Sequence, residues 1–390
     1  MKNNKKKVYA HLLTWFQTKD VSGKWEMWQS DYKNSVHDPN LMIDEKHHDL
    51  AATTYPLTGP YDTNDKDIIE YQLLQMKMAG IDGVIVDWDT REINTYRHEG
   101  FMSILKYLKK IDMKLIVCFE EWAGYWPIGK ITHRDKQIDK VVSELTWLKK
   151  HVIDQSDYEV IDNHFPILVF RKIYTHWFNE KEWTIIKDRV KHLNMNFLFN
   201  DVYDENFKAV SDGYFTWVSG FDDETNQNTL DFYEKQFKHY MQKFKERKNK
   251  LFFGSVMPGF DDSPVNGWGD GARLAPRYDG KRYQQAWQFM KDYDVDFVQI
   301  VTWNDWNEGS QIEPCETYGY KYLKQTIKEV SSFKGTKDLS SMYIDLPLQL
   351  YNLRKDQKYN QKPLDLLSQL IANKNYDGAI KLMKDIKGEK

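Results

Sequence analysis

The sequence predicts an α/β fold, a (β/α)8 TIM barrel with a short C-terminal helical extension. Three observations predict it. Short apolar runs alternate with amphipathic helical stretches, the pattern of parallel strands joined by helices. About eight such units fit before residue 335, the number a closed barrel needs, and 390 residues suit one large barrel plus an appendage. The segment after the first run, Gln17-Thr18-Lys19-Asp20, lacks the Gly-rich phosphate loop that usually opens a doubly wound nucleotide-binding sheet.

The strands are expected, in order, at Val8–Phe16, Gly83–Trp88, Lys114–Phe119, Pro166–Phe170, Asn196–Phe199, Tyr214–Val218, Leu251–Val256 and Phe297–Thr302. Helices fill the gaps. Asp65–Met78 carries a broad apolar face from Ile68 to Met76, with Asn64 as its expected N-cap and Gly80 as its C′ stop. Others are Phe101–Lys110, Lys136–His151, Lys181–Leu193, Thr229–Lys248, Tyr283–Tyr293 and Tyr318–Val330. The long connection Gln17–Thr63 is aromatic and punctuated by Pro and Gly, so it is expected to be ordered and to wall a site. Residues 1–335 read as the barrel and 336–390 as a helical extension packed on it, with Asn373-Lys374-Asn375-Tyr376-Asp377-Gly378-Ala379 as a helix–helix turn.

Composition excludes several classes. Charges are mixed, with a net of -3, which is unlike the basic footprint of a nucleic-acid binder. No apolar run is long enough to insert in a membrane. Val8–Phe16 is short, contains His11 and lacks a small-residue cleavage site, so it reads as a core strand and not as a signal peptide. The sequence as it stands suits a cytoplasmic protein, or a periplasmic or surface one if a leader precedes it. Cys118 lies in an apolar run and reads as a small hydrophobe; Cys315 lies in a loop. No metal-ligand spacing is present: His47 and His48 are adjacent and the other histidines scattered, so no metal or cofactor is expected. The 14 Trp and 24 Tyr serve either as core or as platforms on which sugar rings stack.

In such a barrel, catalytic groups project from the C-terminal strand ends. Those ends carry His11 and Trp15, then Asp87-Trp88-Asp89, Glu120-Glu121-Trp122, Asn200-Asp201, Trp217, Asp261-Asp262, and Trp303-Asn304-Asp305-Trp306-Asn307-Glu308. Acidic residues in these positions often only cap the next helix. Glu120 and Glu308, however, lie beside aromatics and a core strand, where an idle carboxylate is costly to desolvate. Glycoside hydrolysis needs a proton donor that stays protonated near neutral pH and a second carboxylate. Trp303 and Trp306 would supply the apolar surroundings that raise the pKa of Glu308.

The segment Trp303-Asn304-Asp305-Trp306-Asn307-Glu308-Gly309-Ser310-Gln311-Ile312-Glu313-Pro314 resembles glycoside hydrolase family 71/99-like proteins. So do Tyr55-Pro56-Leu57-Thr58-Gly59-Pro60-Tyr61-Asp62, the strand Gly83–Trp88 with its preceding turn, and Pro258-Gly259-Phe260-Asp261-Asp262; together they span most of residues 8–330. Family 99 contains endo-α-mannosidases and endo-α-mannanases, and family 71 α-1,3-glucanases. The resemblance implies metal-free hydrolysis of an α-linked oligosaccharide or polysaccharide. It implies Glu308 as general acid/base. Asp305 falls where a family 99 glutamate is proposed to deprotonate the sugar 2-hydroxyl, and Glu120 matches a further active-site carboxylate. Two departures stand out: Asp305 is one methylene shorter than the family 99 glutamate, and Asn307 replaces a histidine. Asp at 305 agrees better with the inverting family 71 pattern.

Glu308, Asp305 and Glu120 are thus the catalytic candidates. Trp15, Trp88, Trp217, Trp303 and Trp306 are candidate sugar-facing or site-lining rings, and His11, Asp87, Asn200, Asp201 and Asn304 candidate hydroxyl binders. Two alternatives stay open: a barrel associated with glycosyltransfer in surface-polysaccharide synthesis, and a silent carbohydrate-binding barrel.

Overall fold

The computed structural model describes residues 6–91, 95–122, 133–171, 177–200, 205–218, 220–222, 224–247, 250–337 and 340–389. Eight parallel strands close a barrel: β1 (Lys7–Leu12), β4 (Gly83–Trp88), β5 (Lys114–Glu120), β6 (Phe165–Phe170), β7 (Met195–Phe199), β8 (Gly213–Phe215), β9 (Leu251–Val256) and β12 (Phe297–Ile300), which pairs back with β1. Two small antiparallel ribbons stand outside it: β2–β3 (Ser30–Tyr32 and Ser35–His37) and β10–β11 (Phe260–Asp261 and Leu274–Ala275).

The strands read as near-continuous apolar runs because both their faces are buried. Their two-residue period sends Tyr9, Ile85, Ile116, Cys118, Leu168, Leu198, Phe215, Phe253 and Phe297 into the lumen. Phe253 and Phe297 stack there at 5.0 Å. The lumen is therefore packed, and a ligand can enter only above this plug. The alternate residues, such as Val84, Val86 and Trp88, face the helical shell. Each fully buried Val, Leu or Phe contributes roughly 1.5–3 kcal/mol.

Helix Lys66–Met78 follows the expected apolar face and ends at Gly80, whose φ of 76° suits glycine. Its N-cap is Asp65, not Asn64: the Asp65 carboxylate accepts the Asp67 N–H, which places a negative charge at the positive helix end. Asn64 instead accepts the Ser103 hydroxyl from the next helix.

Beyond the barrel come helices Leu346–Lys355, Gln361–Ala372 and Tyr376–Lys387. Leu350, Leu353, Leu364, Leu367, Ile371 and Met383 join the apolar layer outside the strands. Arg354 clamps Glu70 of helix Lys66–Met78 with two bonds, at 2.8 and 3.0 Å. The turn between the last two helices is shorter than the expected 373–379 stretch: helix resumes at Tyr376, with Lys374 at φ 59° and Asn375 capping through Gly378 N–H. No helix among the described residues is long and apolar enough to cross a membrane.

Candidate active site

The site begins where β12 ends. Thr302 Oγ1 accepts the Asp305 N–H at 2.8 Å, and Asp305 Oδ1 accepts the Glu308 N–H at 2.9 Å. These bonds curl Thr302–Glu308 into a tight turn that buries Asp305, at 1% exposure, and leaves Glu308 partly open. Asp261 N–H bonds the Glu308 carbonyl at 2.7 Å and pins the turn to the segment after β9.

Burial pushes the Glu308 carboxyl up to about 7, against the opposing hydrogen bond from Trp268 and the charge of Arg273. Asp305 is also pushed well above the carboxylate range, by burial first and then by the neighbouring Glu308. Glu120, at the end of β5, is raised too, by burial and then by Asp87, with Arg97 opposing. Asp87 thus acts electrostatically on all three, which places four carboxylates at one rim. It is itself held by His11, whose Nε2 lies 2.8 Å from Asp87 Oδ1.

The long loop walls this rim as expected. Asn307 donates to Met27 O at 2.7 Å and Ala51 O at 2.9 Å, so the residue that stands in place of the family histidine ties down the loop. Tyr61 is a second tie. It donates to Glu313 Oε2 at 2.8 Å and accepts from Asn304 Nδ2 and Trp306 Nε1 at 3.1 and 2.9 Å. Two segments that the sequence marked separately therefore meet on one hydroxyl.

Several expected ligand contacts are corrected. Asn304 is fully buried; its amide accepts from Leu13 N and donates to Leu13 O, clamping β12 to β1. Asn200 makes the same clamp on Arg171 N and O, so its amide is committed to backbone. His11 is fully buried and supports Asp87 from below. Trp88 follows Asp87, so the strand period turns it outward, against Trp147 at 6.0 Å. Trp303 and Trp306 are fully buried in core clusters and present no face to a sugar. One face of Trp15 is covered by the Arg97 guanidinium, 4.5 Å from the ring centroid. Trp217 is half-buried against His11 and Phe170 and stays a candidate platform. Asp201 lies outside the described residues.

Trp268 is the indole that touches Glu308, not Trp303 or Trp306. Its Nε1 donates to Glu308 Oε1 at 2.8 Å. Sequence reasoning missed it, although Gly267-Trp268-Gly269 sets an aromatic between two glycines in a long loop. Arg97, paired with buried Asp89 at 3.3 Å, was also missed. Asp262 is buried and its carboxylate accepts from the Arg273 backbone N–H and guanidinium, not from a helix N-terminus as the capping reading would have it.

Among the described residues one ligand-type group lies within 4.8 Å: His11, Asp87 and Cys118. Burial, followed by the Asp87 charge, pushes the Cys118 thiol well up. The thiol therefore stays protonated beside the His11–Asp87 pair.

A closed parallel barrel with a partly open glutamate and three further carboxylates at its C-terminal rim is an arrangement found in the class of (β/α)8 glycoside hydrolases. Within that class the chain is similar to glycosyl hydrolase family 99, whose family model matches residues 180–343. It is 22% identical over 349 residues to the glycoprotein endo-alpha-1,2-mannosidase of Mus musculus, covering 81% of this chain and 70% of that protein. The Xenopus laevis protein of the same name is 22% identical over 345 residues, covering 81% and 72%. Among solved structures, the GH99 endo-alpha-mannosidase of Bacteroides thetaiotaomicron shares the fold, with a TM-score of 0.65 and 20% identity over 86% of this chain and 99% of that one.

Proposed function

We propose that this glycoside hydrolase cleaves α-mannosidic linkages of a glycan, with Glu308 as the proton donor and Asp305 as its partner carboxylate. The observation that carries the reading is the pair itself. Two carboxylates three residues apart are buried together at the strand-end rim, one of them partly open and poised near neutrality. The α-mannoside preference rests on the names of the similar proteins.

A neutral Glu308 can protonate the leaving oxygen as the glycosidic bond breaks. Asp305 commits Oδ1 to the Glu308 N–H, which leaves Oδ2 for the other half of the reaction. There it serves either as base toward the sugar 2-hydroxyl or as base toward water. Being one methylene shorter than the family 99 glutamate, it favours the water route, and NMR of the first-formed anomer separates the two. Trp217 offers a ring face at the same rim.

The test is hydrolysis of α-mannan and α-glucan panels by the wild type and by Glu308→Gln. Release of mannose-containing products, lost by roughly 10²–10⁴-fold in the variant, is the expected result. Undiminished turnover by Glu308→Gln would remove the assignment. Turnover of α-glucan alone would keep the chemistry and change the sugar.

A further inference from the structure

The indole contact on Glu308 comes from a segment with an unusual backbone. Asn266, Gly267, Trp268 and Gly269 all have positive φ, with Trp268 at 58°. A bulky side chain rarely adopts that region, and it persists only where surrounding contacts hold it. The contacts here come from the long loop. Ser35 Oγ donates to Ser263 O, and the Tyr32 ring meets Trp268 edge-on at 6.1 Å. The other wall of the turn is Asp262, whose backbone carbonyl accepts the Gly267 N–H at 3.0 Å. The outcome of these supports is one bond, from Trp268 Nε1 to Glu308 Oε1.

Resting on the reading of Glu308 as proton donor, we propose that Trp268 is a positioning residue, held by the Ser30–His37 hairpin, that fixes which oxygen of Glu308 carries the reacting proton. An indole N–H donates and never accepts. It favours the oxygen without a proton, so Oε1 becomes the acceptor and the acidic proton sits on Oε2. A free carboxyl would spread that proton over both oxygens and over several side-chain orientations. The bond also selects for catalysis in a second way. It strengthens when Glu308 becomes an anion, because donors bind an ionised acceptor more tightly. It therefore stabilises the state formed as the proton leaves, and it restrains the upward push of burial. The other charges facing Glu308 are Asp305, Asp87 and Asp262, which raise its proton affinity, and Arg273, which lowers it; none of them changes when Trp268 is altered.

The experiment uses the full chain with three substitutions: Trp268→Phe, Trp268→benzothienylalanine (the ring kept, sulfur in place of N–H) and Ser35→Ala. kcat and KM are measured across pH on the glycan that the wild type cleaves. Loss of the N–H should lower kcat by roughly tenfold and move the alkaline limb of kcat upward by roughly half to one pH unit, with KM nearly unchanged. Ser35→Ala should move both in the same direction by less. If Trp268→Phe fails to fold, the ring-preserving variant decides. Unchanged kcat and limb in that variant, with Glu308→Gln inactive, would overturn the role of Trp268 and leave Glu308 as the acid. A rise in KM alone would make Trp268 a sugar platform and overturn the proposal. Full activity in Glu308→Gln would remove both readings.

Discussion

The two ends of the barrel handle acidic side chains in opposite ways. At the N-terminal end three of them each meet a cation: Asp82 with Lys334 at 2.6 Å, Asp112 with Lys77 at 2.9 Å, Glu159 with Lys7 at 2.6 Å. A cavity of about 740 Å³ opens there, between the strand starts and the C-terminal helices, lined by Lys77, Asp82, Lys334 and Tyr376 among others. At the C-terminal end Glu120, Asp305 and Glu308 are buried or half-buried near Asp87, and each is pushed upward by burial first. This cavity thus sits among paired charges, whereas the candidate catalytic carboxylates crowd one another. Paired carboxylates hold the fold; buried carboxylates that crowd one another are costly and are kept at sites that use them. Glu313 shows that burial alone is insufficient. It is raised to about 8, yet Tyr61 and Gln72 seal it away from the cleft.

Asp305→Asn should break the comparison hardest. The amide keeps shape but cannot serve as a base, so kcat should fall roughly 10²–10⁴-fold. Removing one of two repelling buried acids should leave the melting temperature equal or higher, as at other sites that trade stability for activity. A clear loss of stability with activity retained would make Asp305 a turn-former only.

The pH dependence of stability tests the same crowding more gently. The folded chain holds Glu308 protonated up to about 7, against an ordinary 4.5 in the unfolded chain. Between these values the folded state binds more protons, so stability falls as pH rises from about 4.5 to about 7 and then levels. Glu313 extends the decline to about 8. The decline should become shallower below pH 7 in Glu308→Gln, where Glu313 still contributes, and shallower up to about pH 8 in Glu313→Gln. A rise in stability across the window would contradict the inferred burial of both.

Much of this was legible in the sequence. All eight strands were found, because strands buried on both faces leave unmistakable apolar runs. The first, sixth and eighth were overextended, the first two for a definite reason. Val8–Phe16 stops pairing at Leu12, since Leu13 gives its N–H and C=O to the Asn304 side chain instead of to a neighbouring strand. The sixth run stops at Phe215, as the Thr216 carbonyl accepts from Ser255 and Gln299 side chains. The carboxylates were legible because they follow strand register. The indoles were not: Trp88 is turned outward by a single residue of register, and Trp268 reaches Glu308 across 40 positions of sequence. No local pattern encodes a contact of that range.

Glu159 at the balanced end is the control, with the smallest expected effect. It accepts from Lys7 Nζ at 2.6 Å and from the Tyr9 hydroxyl at 2.7 Å, below the aromatic plug of the lumen. Burial, with Glu159 adding to it, holds the Tyr9 hydroxyl neutral, so the bond to Glu159 is a neutral donor on an anion. Glu159→Gln keeps an acceptor for one of the two and loses the charge. The cost should be about 2 kcal/mol in denaturant unfolding, the net worth of a hydrogen bond to a charged group. Catalysis should be untouched, with kcat/KM within about twofold of wild type, because the packed Phe253–Phe297 layer separates Glu159 from the rim and sites without shared partners act independently. A tenfold fall in kcat in a normally folded variant would mean that the two ends communicate through the lumen, and the division between structural and reactive charge would have to be redrawn.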